Sequence, residues 1–151
     1  MKINESIPVP ALPCAAVGLV PQRPPMLVIE RLVKRDRLAN FSLVEATAPT
    51  EGFFVGQDGA VLPEYFIELV AQAMAAVNSF DGLVDGEKPG RGLLVGIENF
   101  SWPGRGEAGQ KLRVEIVKNF DFGPVSVMAG TVFNKRGELL AGGEIKAWEE
   151  K

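Results

Sequence analysis

Histidine is absent from the 151 residues. Its absence excludes Ser-His-Asp and Cys-His triads and any metal site built on imidazole. Cysteine is nearly absent too. Cys14 stands alone, which rules out a disulfide within the chain and a multi-cysteine zinc site. A single thiol fits a reducing compartment, and the expected location is cytoplasmic. Positive charge has no surplus: 16 Lys and Arg against 19 Asp and Glu give a net charge of −3 and a pI near 5.1. A mildly acidic chain without a basic run is not built for nucleic acid. No apolar run reaches the roughly 18 residues that a membrane-spanning helix needs. The apolar stretch PALPCAAVGLV near the start carries Pro10 and Pro13. Glu5 stands where a secretory signal has basic charge, so residues 1–20 read as an N-terminal arm.

Hydrophobic residues make up 46% and charged residues 23%, which is ordinary for a globular domain. The expected organisation is one domain over residues 1–151. MLVIERLVK (26–34) and NFSLVEAT (40–47) have the composition of strands. A loop over 48–62 follows. The segment 63–80 is too long for an ordinary strand and rich in Ala, Leu, Met and Gln, which favour helix. Pro63 suits the first turn, Glu64 the positive dipole end, and Asp81-Gly82 a stop. This helix is apolar nearly all round, so it is expected to be buried on most sides. Strand-like segments then run over 91–102, 111–120, 125–134 and 138–148, with a tight turn expected at Lys135-Arg136-Gly137. Two strands, one buried helix and four more strands predict an α+β fold with an antiparallel sheet around the helix.

Three blocks carry a likeness. PQRPPMLVIERLV (21–33), FFVGQ followed by LPEYFIELVAQAMA (within 53–75), and LLVGIENFSWPGRGEAGQKLRVEI (93–116) occur in the order and type found in one family. The sequence resembles the hotdog-fold β-hydroxyacyl-acyl-carrier-protein dehydratases. The resemblance implies a hotdog fold, pairing of two such units edge to edge, and an acyl tunnel near that interface. It implies dehydration of 3-hydroxyacyl thioesters by a histidine and a carboxylate contributed by different subunits, in fatty-acid or polyketide-like biosynthesis. It implies no cofactor. The partners implied are an acyl carrier protein or coenzyme A thioester and a second hotdog protein, alike or different.

Carried over position by position, Glu68 matches the family's helical carboxylate and Gln72 the glutamine that follows it by four. Gly56 matches the glycine before the catalytic histidine, but that histidine is Gln57 here, and the first-block histidine is Gln22. The expected catalytic set is Glu68, Gln57 and Asp58. Gly56, Glu64, Tyr65 and Gln72 are the expected substrate-binding residues. Each has a plainer reading. Glu68 is a carboxylate satisfied locally. Gln57 lacks proton-transfer chemistry and is left to orient a water or a thioester oxygen. Asp58 either stands in for the missing base or caps a turn. Leu62 is a poor N-cap, which leaves the N–H groups of Glu64, Tyr65 and Phe66 for a ligand oxygen. Arg91, Arg105, Lys111 and Arg113 are candidates for greeting an acidic carrier, against a reading as scattered surface charge. Three functions stay open: a dehydratase that is slow or inactive alone, a partner subunit that completes a histidine-bearing homologue, and a hotdog acyl thioesterase.

Overall fold

The apolar segment after the 48–62 loop winds into one long helix, α1 (Pro63–Val84). In the computed structural model, which describes residues 9–87 and 92–149, seven strands surround it: β1 (Cys14–Ala15), β2 (Arg31–Asp36), β3 (Phe41–Thr47), β4 (Gly92–Ser101), β5 (Lys111–Phe122), β6 (Val125–Asn134) and β7 (Leu139–Glu149). They form one sheet in the order β1-β2-β3-β5-β6-β7-β4, antiparallel throughout. This is the α+β hotdog fold. Strand alternation supplies the inner face: Val44 and Ala46 from β3, Leu112, Val114 and Ile116 from β5, and Met128 and Val132 from β6 are buried against Leu69, Val70, Ala73 and Val77 of α1. The helix can sit this close partly because Gly130 lacks a Cβ. One built there would lie 2.4 Å from a methyl of Val70.

Three details depart from the sequence reading. Residues 26–30 are not strand; β2 begins at Arg31. The backbone groups that a neighbouring strand would have taken, Met26 C=O and Val28 N–H, bond instead to the side-chain amide of Gln72 at 2.8 and 2.9 Å. The helix also runs past Asp81-Gly82 to Val84. Asp81 is held there by Arg35 through a bidentate pair of 2.8 and 2.6 Å. The stop comes at Asp85-Gly86, where Gly86 takes the left-handed φ of 78° that terminates helices. Finally, part of the N-terminal arm belongs to the core. β1 pairs with β2, and Ala16, Leu19 and Val20 are buried. The prolines and glutamate that argued against a signal segment fall partly on residues 1–8, outside the described residues. The turn at 135–137 is as expected: Gly137 has φ 82°, and Asn134 Oδ1 accepts from the N–H groups of Arg136 and Glu138.

Candidate active site

One face of α1 is left uncovered by the sheet. Glu68, Ala71, Ala75, Ser79 and Gly82 recur at spacings of three and four, so they stack along one stripe of the helix. The small residues Ala71, Ala75, Ser79 and Gly82 leave room for a groove of about 710 Å³. Its opposite wall comes from Leu93 and Leu94 of β4 and Ile145 and Ala147 of β7, and Leu19, Pro21 and Gln22 also line it. The wall on β4 is the open edge of the sheet, bonded among the described residues only to β7. Leu93, Leu94, Val95 and Ile97 are 57%, 49%, 57% and 40% exposed along it, a row of apolar side chains that a lone sheet edge does not ordinarily show.

Gln72 organises the end of the groove that holds Glu68. Its Oε1 accepts from Val28 N–H, and its Nε2 donates to Met26 C=O and, at 2.7 Å, to Glu68 Oε1. The amide is buried and uses both of its hydrogens. Glu68 Oε2 has no protein partner among the described residues. Glu68 lines the groove, and a half-buried carboxylate with one oxygen held by an N–H can exchange a proton with a ligand bound beside it.

The residues of the 56–60 turn lie elsewhere. Gly56 N–H donates to Ala60 C=O at 2.8 Å and Gly59 N–H to Gly56 C=O at 3.1 Å. A Cβ at Gly56 would sit 3.1 Å from Asp58 Oδ1, a close contact that the exposed aspartate relieves by a small shift. Gln57 and Asp58 are both exposed. Asp58 Oδ1 accepts from Ala60 N–H, and Oδ2 pairs with Arg105 at 3.1 Å, so within one chain it caps its turn. None of Gly56, Gln57 and Asp58 lines the groove that Glu68 lines. At the helix start, Leu62 gives no side-chain cap. The Tyr65 N–H expected to await a ligand donates to Leu62 C=O at 3.0 Å, because a tight first turn satisfies it. The Tyr65 ring is fully buried, edge-on to Phe54 and Phe66. Burial, with a smaller contribution from the Glu30 charge, pushes its phenol well above the ordinary tyrosine range. Glu64 is exposed beside it.

The ApeP-like dehydratase family model matches residues 14–151. The chain belongs to this family. It is 28% identical over 102 residues to the 3-hydroxyacyl-[acyl-carrier-protein] dehydratase FabZ of Anoxybacillus flavithermus, covering 65% of this chain and 69% of that one. Among solved structures it is similar to the dehydratase heterocomplex ApeI:P from Xenorhabdus doucetiae, with a TM-score of 0.80 at 19% identity over 94% of this chain and 93% of that one. It is also similar to a hypothetical thioesterase with coenzyme A from Streptococcus pneumoniae, with a TM-score of 0.61 at 12% identity, covering 79% and 84%. At such identities the structural likeness speaks for the fold.

In this ApeP-like chain three of the four candidate cations are already paired: Arg105 with Asp58 and Glu107, Lys111 with Glu30 and Thr47, Arg113 with Glu115. Arg91 lies outside the described residues. No described helix is long and apolar enough to cross a membrane. The residues missed by the sequence reading are the groove stripe Ala71, Ala75, Ser79 and Gly82. Their signal was legible as small residues repeating at helical spacing in line with Glu68.

Proposed function

We propose that this ApeP-like dehydratase binds an acyl thioester along the α1 groove and supplies Glu68 as the acid of a dehydratase site that a second hotdog subunit completes. The observation that carries the reading is Glu68 itself: one oxygen is held by Gln72, and the carboxylate lines a 710 Å³ groove whose wall includes Leu93 and Leu94 of the apolar free edge of β4. Dehydration of a 3-hydroxyacyl thioester breaks a Cα–H bond and the C3–O bond and forms the Cα–C3 double bond. The base takes the α-proton and the acid gives its proton to the departing hydroxyl, which leaves as water. Glu68 in its protonated form fills the second role. With no histidine in the chain and Asp58 occupied in its turn, the base comes from the partner, docked on β4 so that its loop reaches Glu68. Gln57 and Gly56 would stand over the partner's own helix in the same way. Proton transfer by a positioned base contributes about 10²–10⁴ in rate, so the chain alone is slow or inactive. The thioester is carried by an acyl carrier protein or coenzyme A.

The test is turnover of a 3-hydroxyacyl thioester by the purified chain alone and mixed with a histidine-bearing hotdog dehydratase. The mixture is expected to form enoyl product and the chain alone to fall short by about 10²–10⁴. Glu68→Gln, which keeps shape and the Gln72 bond, is expected to stay folded and to remove its share of turnover. Full activity of the chain alone, or of Glu68→Gln in the mixture, overturns the assignment. Release of free thiol without enoyl formation would favour the thioesterase reading.

A further inference from the structure

Glu68 stands at one end of the groove rather than midway along it. It is the first residue of α1 to line the cavity. Ala71, Ala75, Ser79 and Gly82 follow on the same stripe, and none of residues 63–67 takes part. The room along the helix therefore lies on the C-terminal side of the carboxylate. It extends 82 − 68 = 14 positions, about 21 Å at 1.5 Å per residue. A fully extended chain advances about 1.2 Å per bond, so this length matches about 17 bonds. Ala71 and Ala75 are half-buried, while Ala73, Ala76 and Val77 beside them are buried against the sheet. The two alanines thus present a methyl group each to the groove. Across from them stand Leu93 and Leu94, about half exposed. Open apolar walls on both sides favour a hydrocarbon chain a little more for every carbon laid between them.

Resting on the acyl groove and the Glu68 site proposed above, we infer that this chain takes long acyl groups, of about 12–16 carbons, and that Ala71 and Ala75 keep the groove open to that length. Place the reacting C2 and C3 of the acyl group beside Glu68. Ala71 then lies 71 − 68 = 3 positions on, under about carbon 7 of an extended chain. Ala75 lies 75 − 68 = 7 positions on, under about carbon 12. An acyl group of about four carbons ends before either alanine and leaves most of the 710 Å³ groove unfilled. Each further methylene buried between the walls is worth about fourfold in affinity. A leucine at either alanine closes the groove at that depth, and the two depths differ by about five carbons.

The experiment measures calorimetrically the binding of saturated acyl-pantetheine thioesters of about 4 to 16 carbons. The protein is the chain mixed with a histidine-bearing hotdog dehydratase, with that dehydratase alone as the blank. In the parent, affinity is expected to rise about fourfold per methylene across the series. Ala75→Leu is expected to flatten the rise near carbon 12 and Ala71→Leu near about carbon 7, with shorter probes binding as in the parent. Leucine is a good helix former, and an unchanged urea midpoint shows that each variant is folded. Ala71→Met and Ala75→Met put the same question if a leucine variant unfolds. A flat series in the parent, or the same cut-off in both variants, overturns the inference and leaves the acyl groove standing. An equal loss for every probe length places the pantetheine arm over the alanines and overturns the acyl groove as well. Failure of every probe to bind removes the groove reading and this inference with it.

Discussion

The ion pair between Arg35 and Asp81 offers the sharpest test of what holds α1 in place. Arg35 comes from β2 and Asp81 from the last turn of the helix. Their side chains are 2% and 10% exposed, and two bonds of 2.8 and 2.6 Å join them in the fork geometry that suits guanidinium and carboxylate. Arg35 also donates to Ser42 Oγ at 3.3 Å. Replacing Asp81 with leucine leaves a buried guanidinium without its counter-charge, a loss of about 3–5 kcal/mol. Arg37 also approaches Asp81, at 3.8 Å, but it is half exposed, so its share of that loss is small. Arg35→Met should cost a similar amount for the mirror reason. The double variant removes both charges and leaves mainly Ser42 Oγ wanting a donor. It should therefore lie within about 1–2 kcal/mol of the parent. Urea midpoints at constant slope, followed by circular dichroism, read all four states and give the coupling directly. Single substitutions costing under about 1 kcal/mol, or a double equal to the sum of the singles, would refute the claim that this pair fixes the helix end.

Tyr65→Phe removes a fully buried hydroxyl that has no partner among the described residues. It should stabilise by about 1 kcal/mol and raise the thermal midpoint by about 2–4 °C; a drop of that size would show that the hydroxyl is bonded after all. Glu30 is held below its usual carboxylate range chiefly by the Thr47 hydroxyl, with Arg31 and Lys111 adding to it against some burial. Since its folded pKa is the lower one, its stabilisation is complete above the unfolded value and disappears as pH falls through the folded value. Thr47→Val should therefore make the acid-side loss of stability smaller, and a urea midpoint that falls as steeply with acid as in the parent would contradict this.

The helix and its carboxylate were legible because their signals are local. An apolar run opened by Pro63 can only be a buried helix, and Glu68 stands out in it. The helix end was not legible, since Asp81-Gly82 reads as a stop until one knows that Arg35, 46 positions earlier, is waiting for that carboxylate. Strand content at 26–30 misled for a similar reason: those backbone groups are claimed by Gln72, 46 and 44 positions away. Gln57 and Glu68, set side by side by the family resemblance alone, do not share a cavity within the chain.

The three bonds of Gln72 have a consequence for where a proton can reside. Val28 N–H requires an oxygen and Met26 C=O requires a hydrogen, so the amide cannot turn over. Its remaining hydrogen must then point at Glu68 Oε1. An oxygen that is already accepting from an N–H is the poorer seat for a hydroxyl hydrogen, so a neutral Glu68 carries its proton on Oε2, the oxygen with no partner among the described residues. A glutamine with no acid–base chemistry of its own thus selects the protonation isomer of its neighbour, and does so through the same amide that pins residues 26–28 to the helix.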